Sequence, residues 1–275
     1  MPKLAAIQMA SGPNVNANLI EAERLIGEAA SAGAELIVLP ENFGLMGLKE
    51  TDKLGLAEDE GSGPLQEFLS LQAQRHNVWL AGGTIPLKAS EPGKVLSSCL
   101  LLDNQGERVA RYDKIHLFDV DLTDSNEQYA ESETIESGNK VVVVDSPFGK
   151  LGLAVCYDLR FPELFRDMID EDVEIVLLPA AFTAITGKAH WETLLRARAI
   201  ENLCYIVASA QGGYHASGRE THGDSMIVEP WGTVVARQPS GAGFVVAEID
   251  RMRLLRLRET FPVLSHRRLH CNLSA

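Results

Sequence analysis

Basic residues are in short supply. The chain sets 25 Lys and Arg against 38 Asp and Glu, a formal net charge of -13. Phosphate backbones and anionic membranes are held by clustered cations, so neither nucleic acid nor a membrane is an expected partner, and a small-molecule substrate fits better. The basic stretch near the end (Arg251, Arg253, Arg256, Arg258, Arg267, Arg268) reads as the solvated face of a terminal helix. Cysteine is also scarce. Cys99, Cys156, Cys204 and Cys271 lie far apart with no C-x-x-C pair, which argues against a disulfide framework or a zinc knuckle and points to a reducing, cytoplasmic setting. No apolar window approaches the ~20 residues of a membrane span. The opening MPKLAAIQMASG is too short an apolar run for a signal segment and reads as a buried strand. There is no Pro/Gly/Ser-rich linker, fixed-period repeat, G-x-S-x-G elbow, phosphate loop or H-E-x-x-H motif. His266 and His270 stand four apart among arginines with no third ligand in view, a surface pair rather than a metal site.

What is present favours one large α/β unit spanning residues 1–275. Hydrophobic residues make up 45% of the chain and charged residues 23%, enough for a sizeable core. An apolar run from Leu4 to Met9 precedes a helix over about Asn16 to Ala34, where Leu19, Ala22, Leu25, Ile26 and Ala29 share a face. ELIVLP then ends at Glu41, a second helix carries Leu65, Phe68, Leu69 and Leu71, and VWLAGG reads as the next strand. VLSSCLLLD and ERVARYDK flank Asn104-Gln105-Gly106 as a hairpin. The segment from His116 to Gly138 is acidic and aperiodic, a candidate active-site wall. KVVVVD, KLGLAVC, a helix opening at Pro162, EIVLLPAA, a helix over about Lys188 to Leu203, four further strands and a terminal helix complete the order. Alternating strands and helices with inserted hairpins predict two sheets packed face to face between helices, a four-layer αββα sandwich.

Three reactive side chains stand where apolar strands stop: Glu41 after ELIVLP, Lys114 after ERVARYD, and Cys156 closing KLGLAVC. Ligands bind beyond strand ends in such sheets, so these positions are placed to converge. Taken singly, each has a plain reading: a core thiol, a surface carboxylate, a strand-end ammonium. Cys156 stands out because Tyr157-Asp158-Leu159-Arg160-Phe161-Pro162 follows it. A helix starting there would aim free N–H groups at the sulfur and favour the thiolate.

VLPENF around Glu41, YDKIHLFD around Lys114 and GLAVCYDLRFPELFR around Cys156 resemble, in order and spacing, the signature blocks of the nitrilase superfamily of carbon-nitrogen hydrolases. The resemblance spans nearly the whole chain. It implies an αββα fold, usually dimerised, and a triad with Glu41 as general base, Lys114 stabilising the oxyanion and Cys156 as nucleophile. It also implies a second glutamate, matched by Glu131, with Glu133 and Glu136 close by. No metal or organic cofactor enters such chemistry, and the backbone N–H of Tyr157 is the second expected oxyanion donor. KIHLFDVDL, CYDLRFPELFR and FTAITGKAHWETLLRARAIEN look like the Nit-type amidase branch. That likeness implies anionic ω-amides as substrates, deaminated glutathione first and 2-oxoglutaramate next. Arg160 then suits a substrate carboxylate, because a guanidinium fork matches two carboxylate oxygens; its plain alternative is an ion pair with Asp158, Glu163 or the acidic loop. Phe182, Thr183 and Thr186 are pocket candidates, although Thr at a helix start is often only a cap. His190 and Trp191 read as packing or support. The competing readings are N-carbamoyl or nitrile hydrolysis, an inactive scaffold or binding protein, and a thiol redox protein pairing Cys156 with Cys99 or Cys204.

Overall fold

Alternation along the first strand, Lys3–Gln8, sets the layering. In a computed structural model of the chain, which describes residues 1–122 and 127–269, Leu4 and Ala6 pack toward a second sheet while Ala5 and Ile7 pack toward helices. The next strand, Leu36–Val38, repeats the split: Leu36 and Val38 on the inner face, Ile37 on the outer. Side chains alternate faces along a strand, so a sheet apolar on both faces must be covered on both.

The outer cover is a helix pair. Helix α1, Val15–Ser31, is capped by the Asn14 carboxamide, which accepts from the Ala17 N–H at 3.1 Å. It buries Ala22, Leu25, Ile26 and Ala29, one stripe at helical spacing. Helix α2, Pro64–His76, begins on a proline and ends on left-handed Asn77. The expected α1 bounds of Asn16 to Ala34 shrink because Ala32 already closes the helix and Gly33 turns with φ +92.

Each sheet is parallel at its centre and antiparallel at its edges. The first pairs Lys3–Gln8, Leu36–Val38 and Trp79–Ala81 in parallel and adds Ile85–Lys88, Val95–Leu102, Arg108–Asp113 and Gly243–Glu248 antiparallel. The second pairs Leu151–Leu153, Ile175–Ala180 and Tyr205–Ala210 in parallel, with Val143–Val144, Ser225–Val228 and Val234–Gln238 at its edges. Helices α3, Pro162–Asp170, and α4, Ala184–Asn202, cover its far side. The four-layer αββα reading holds. Helix α4 begins four residues before the expected Lys188, because Thr183 caps it.

Arg251, Arg253 and Arg256 of the terminal helix α5, Arg251–Thr260, lie on an exposed face as expected, and several of the tail's arginines are also paired. Arg251 pairs with Glu174, Arg253 with Glu229, and Arg258 donates to the carbonyls of Leu203 and Val173, while Arg267 beyond it pairs with Asp170. Those bonds clamp the helix across the second sheet. The acidic segment after His116 also carries more structure than its lack of period suggested: Asp119–Leu122 and Glu127–Ala130 form a hairpin. Among the described residues no helix is long and apolar enough to cross a membrane. His270 and Cys271 lie outside the described residues.

Candidate active site

Glu41, Cys156 and the Phe182–Thr183 corner all follow the carboxyl ends of parallel strands, where an α/β sheet opens a crevice. Side-chain amides stitch the two sheets together there. Gln211 donates from Nε2 to the Glu41 carbonyl at 3.0 Å and to Ser11 Oγ at 2.8 Å, and its Oε1 accepts from the Ser11 N–H at 2.9 Å. Glycine at 83 brings the neighbouring loop against the Glu41 turn. A Cβ built there would sit 2.1 Å from the Pro40 carbonyl oxygen, at φ +56. Gly83→Ala should therefore cost about 2 kcal/mol or more, since the backbone strain and the clash add. Urea unfolding would measure it; a loss under half that figure would mean the loop yields freely.

Lys114 follows Arg108–Asp113 and is fully buried. Its Nζ donates to Glu41 Oε1 at 2.9 Å and to Glu131 at 2.7 and 3.0 Å. Burial pushes the ammonium toward losing its proton, but the Glu131 and Glu41 charges outweigh that and hold it well above the ordinary lysine value. Burial likewise pushes Glu131 upward, and the Lys114 charge overcomes it to hold the carboxyl below its usual range. Glu131 Oε2 also accepts from the Phe118 N–H at 2.8 Å. Of Glu131, Glu133 and Glu136, Glu131 is the one that meets Lys114. Glu133 faces solvent, and Glu136 binds Ser90 and the Glu91 N–H.

Cys156 opens a 3-10 turn, Cys156–Arg160, at φ 49, a left-handed conformation that side chains other than glycine rarely adopt. Asp158 holds that turn from within. Its buried carboxylate accepts from the Val155 N–H at 2.8 Å, the Tyr112 hydroxyl at 2.7 Å and the His116 N–H at 3.1 Å, and it faces His116 Nδ1 at 2.7 Å. The expectation of a sulfur at an α-helix N-terminus is corrected here, because α3 starts only at Pro162. The expectation of a favoured thiolate falls with it. Burial first, then the Glu41 charge, push the thiol well above its ordinary value, and Lys114 recovers only part. Cys99 and Cys204 are free and buried, their thiols pushed up to about 12 by burial, which leaves the redox reading without a reactive partner among the described residues.

In front of Cys156 lies a small cleft. Glu131, Tyr157, Arg160, Phe182, Thr183 and Thr186 line it together with Phe118, Ala181 and Arg219. Tyr157 lines the cleft, and its N–H belongs to the first turn of the 3-10 segment, where the helix itself supplies no acceptor. Thr183 does both expected jobs, lining the cleft and capping α4 through Oγ1 to the Thr186 N–H at 3.4 Å. Arg160 makes none of the ion pairs considered for it among the described residues. Its guanidinium stands 5.1 Å from the Phe182 ring and 5.8 Å from the Tyr157 ring, with Nη1 3.1 Å from His190 Nδ1. Trp191 packs on Phe182 and donates to the Asp224 carbonyl at 2.8 Å. Sequence reasoning missed Asp158, Gln211 and Arg219 as site residues. Asp158 was visible inside CYDLR only as a partner for Arg160; the other two carried no local signal.

With this geometry in view, comparison with known proteins adds three findings. The carbon-nitrogen hydrolase family matches residues 3–259. A Synechocystis protein named deaminated glutathione amidase is 46% identical over 266 residues, 96% of this chain and 97% of its own length. Two crystal structures share the fold: Caenorhabditis elegans NitFhit, with TM-score 0.90 and 40% identity, is covered over 65% of its longer chain by 97% of this one. Saccharomyces cerevisiae Nit3, described as a member of branch 10 of the nitrilase superfamily, has TM-score 0.87 and 30% identity over 98% of this chain and 97% of its own.

Proposed function

Since the chain belongs to the carbon-nitrogen hydrolase family, we propose that it is an amidase cleaving a small carboxylate-bearing amide, deaminated glutathione foremost, through a thioester on Cys156. The observation that carries this reading is the meeting of Glu41 and Glu131 on one buried ammonium, Lys114, behind a cleft-lining thiol.

The chemistry follows from the charges. Two carboxylates and one ammonium leave the site one charge negative, and a preformed thiolate would make it two in a desolvated space. The proton therefore leaves sulfur as the bond to carbon forms. Cys156 Sγ attacks the amide carbon, Glu41 takes the thiol proton, and the carbonyl π pair moves to oxygen. Lys114 Nζ meets three carboxylate oxygens, one of Glu41 and both of Glu131, and turning the N–H of its longer Glu131 contact, 3.0 Å, toward the substrate supplies the oxyanion donor beside the Tyr157 N–H. Donors so placed lower such barriers by about 3 kcal/mol each. Collapse of the adduct breaks the carbon-nitrogen bond, and the proton on Glu41 passes to the departing nitrogen. Water, deprotonated by Glu41, then attacks the thioester and restores the thiol.

Arg160 supplies the handle for the acyl half of the substrate: a cation over two aromatic rings with no carboxylate partner of its own among the described residues. Arg160→Leu should cut kcat/KM about a hundredfold on an ω-amide bearing a carboxylate and only a few-fold on a neutral amide of equal length. Amine release from both substrates measures this, and equal losses would remove the recognition role.

A further inference from the structure

Cys156 and Lys114 belong to different sheets. The sulfur follows Leu151–Leu153 of the second sheet and the ammonium follows Arg108–Asp113 of the first. Their spacing is therefore set across the sandwich. Apolar packing between sheets is non-directional, so directional bonds must fix that spacing. Asp158 supplies them. It lies within the turn Cys156–Arg160, is fully buried, and meets four donor atoms. One is the Val155 N–H, from the residue before the nucleophile. The other three flank the lysine: the Tyr112 hydroxyl two residues before Lys114, and the N–H and Nδ1 of His116 two residues after it. An ionised carboxyl offers about four acceptor sites and no donor, so its sites are filled and the His116 proton facing it sits on Nδ1.

The His116 ring also stacks on Phe161, the residue that closes the turn, with centroids 3.7 Å apart and planes 6° from parallel. Arg198 of α4 donates to the Leu159 carbonyl from Nε at 3.0 Å and from Nη2 at 2.8 Å. Arg198 thus ties the turn to its own helix layer, whereas Asp158 and His116 tie it to the strand that carries Lys114. The left-handed backbone at Cys156, φ 49, is the kind of strained residue that persists only where its surroundings over-determine it. We infer that Asp158 is a positioning residue of the amidase proposed above, on which the inference rests. With Tyr112 and His116 it sets the distance between the Cys156 sulfur and the Lys114 ammonium. Misplacing reacting atoms by about 1 Å costs about a hundredfold in rate, so the effect belongs in kcat.

Because four donors converge on Asp158, the test replaces its partners. On deaminated glutathione, Tyr112→Phe and His116→Ala should each lower kcat about tenfold or more and keep KM within about threefold of the parent value. His116→Asn, whose side-chain amide places an N–H near the lost Nδ1 donor, should bring kcat back to within about threefold of the parent. Thermal melts run beside the kinetics separate folding from rate. Variants that melt earlier yet keep the parent kcat would make the junction structural only and overturn the positioning role. A loss expressed in KM, or a His116→Asn variant no faster than His116→Ala, would overturn it equally; in each of these cases the parent still turns over and the amidase reading stands. Hydrolysis of neither deaminated glutathione nor 2-oxoglutaramate by the parent chain overturns the amidase reading and the role assigned within it.

Discussion

Cys156→Ala is expected to lose at least about 10^4-fold in turnover of any amide the parent chain hydrolyses, while the protein stays folded. The substitution deletes one buried sulfur and keeps the Cβ, so the backbone at φ 49 meets no new atom. The Asp158 bonds that hold the turn come from Val155, Tyr112 and His116 and do not involve the thiol. Lys114, Glu41 and the Tyr157 N–H keep their places, so substrate still binds and its carbonyl is still polarised; what is lost is the atom that forms the covalent bond. Intact-protein mass spectrometry of the parent chain under turnover should show the acyl adduct on Cys156, and the Ala variant should show none. Turnover of the variant within tenfold of the parent, with an unchanged thermal midpoint, would end nucleophilic catalysis by this sulfur.

The residues that the chain order announces are those whose role ends a local pattern. Glu41, Lys114 and Cys156 each follow the end of a strand, and the alternation of Leu4 and Ala6 against Ala5 and Ile7 already separates an inner layer from an outer one. The charge state of Cys156 was not readable in that way. A dipole argument uses only the residues after the cysteine, whereas the thiol is governed by burial and by Glu41, which arrives from 115 positions earlier in the chain. Gln211 and Arg219 are silent in sequence for the same reason: one holds the Glu41 carbonyl across the two sheets, the other lines the cleft. The Lys188 boundary failed more simply, because Ala184-Ile185-Thr186-Gly187 looks like a loop until Thr183 is seen to cap it.

Lys114→Met should both disable the site and weaken the fold, by about 3–5 kcal/mol near neutral pH. Methionine approximates the length of the lysine stem, so packing is largely kept and the electrical change dominates. Removing the ammonium leaves Glu41 and Glu131 buried together without a cation among their hydrogen-bond partners. Turnover should drop by about 10^2-fold or more through loss of the oxyanion donor alone. The stability loss has a pH signature. In the parent chain Glu131 is held below its ordinary 4.5, so its ionised form adds stability above that value and loses it as pH falls through the lower folded value. Lys114 is held above its ordinary 10.5, so its contribution is complete below that value and vanishes only as pH rises through the higher folded one. In the variant burial acts on Glu131 with no Lys114 charge to oppose it, so that carboxyl is raised instead, and acidification lets it take up a proton and become neutral. The gap between parent and variant should therefore be widest near pH 7 and narrow toward about pH 4.5 in paired urea titrations. A gap that stays constant across that range would assign the loss to packing around the methionine and would deny the buried carboxylate pair its electrostatic cost.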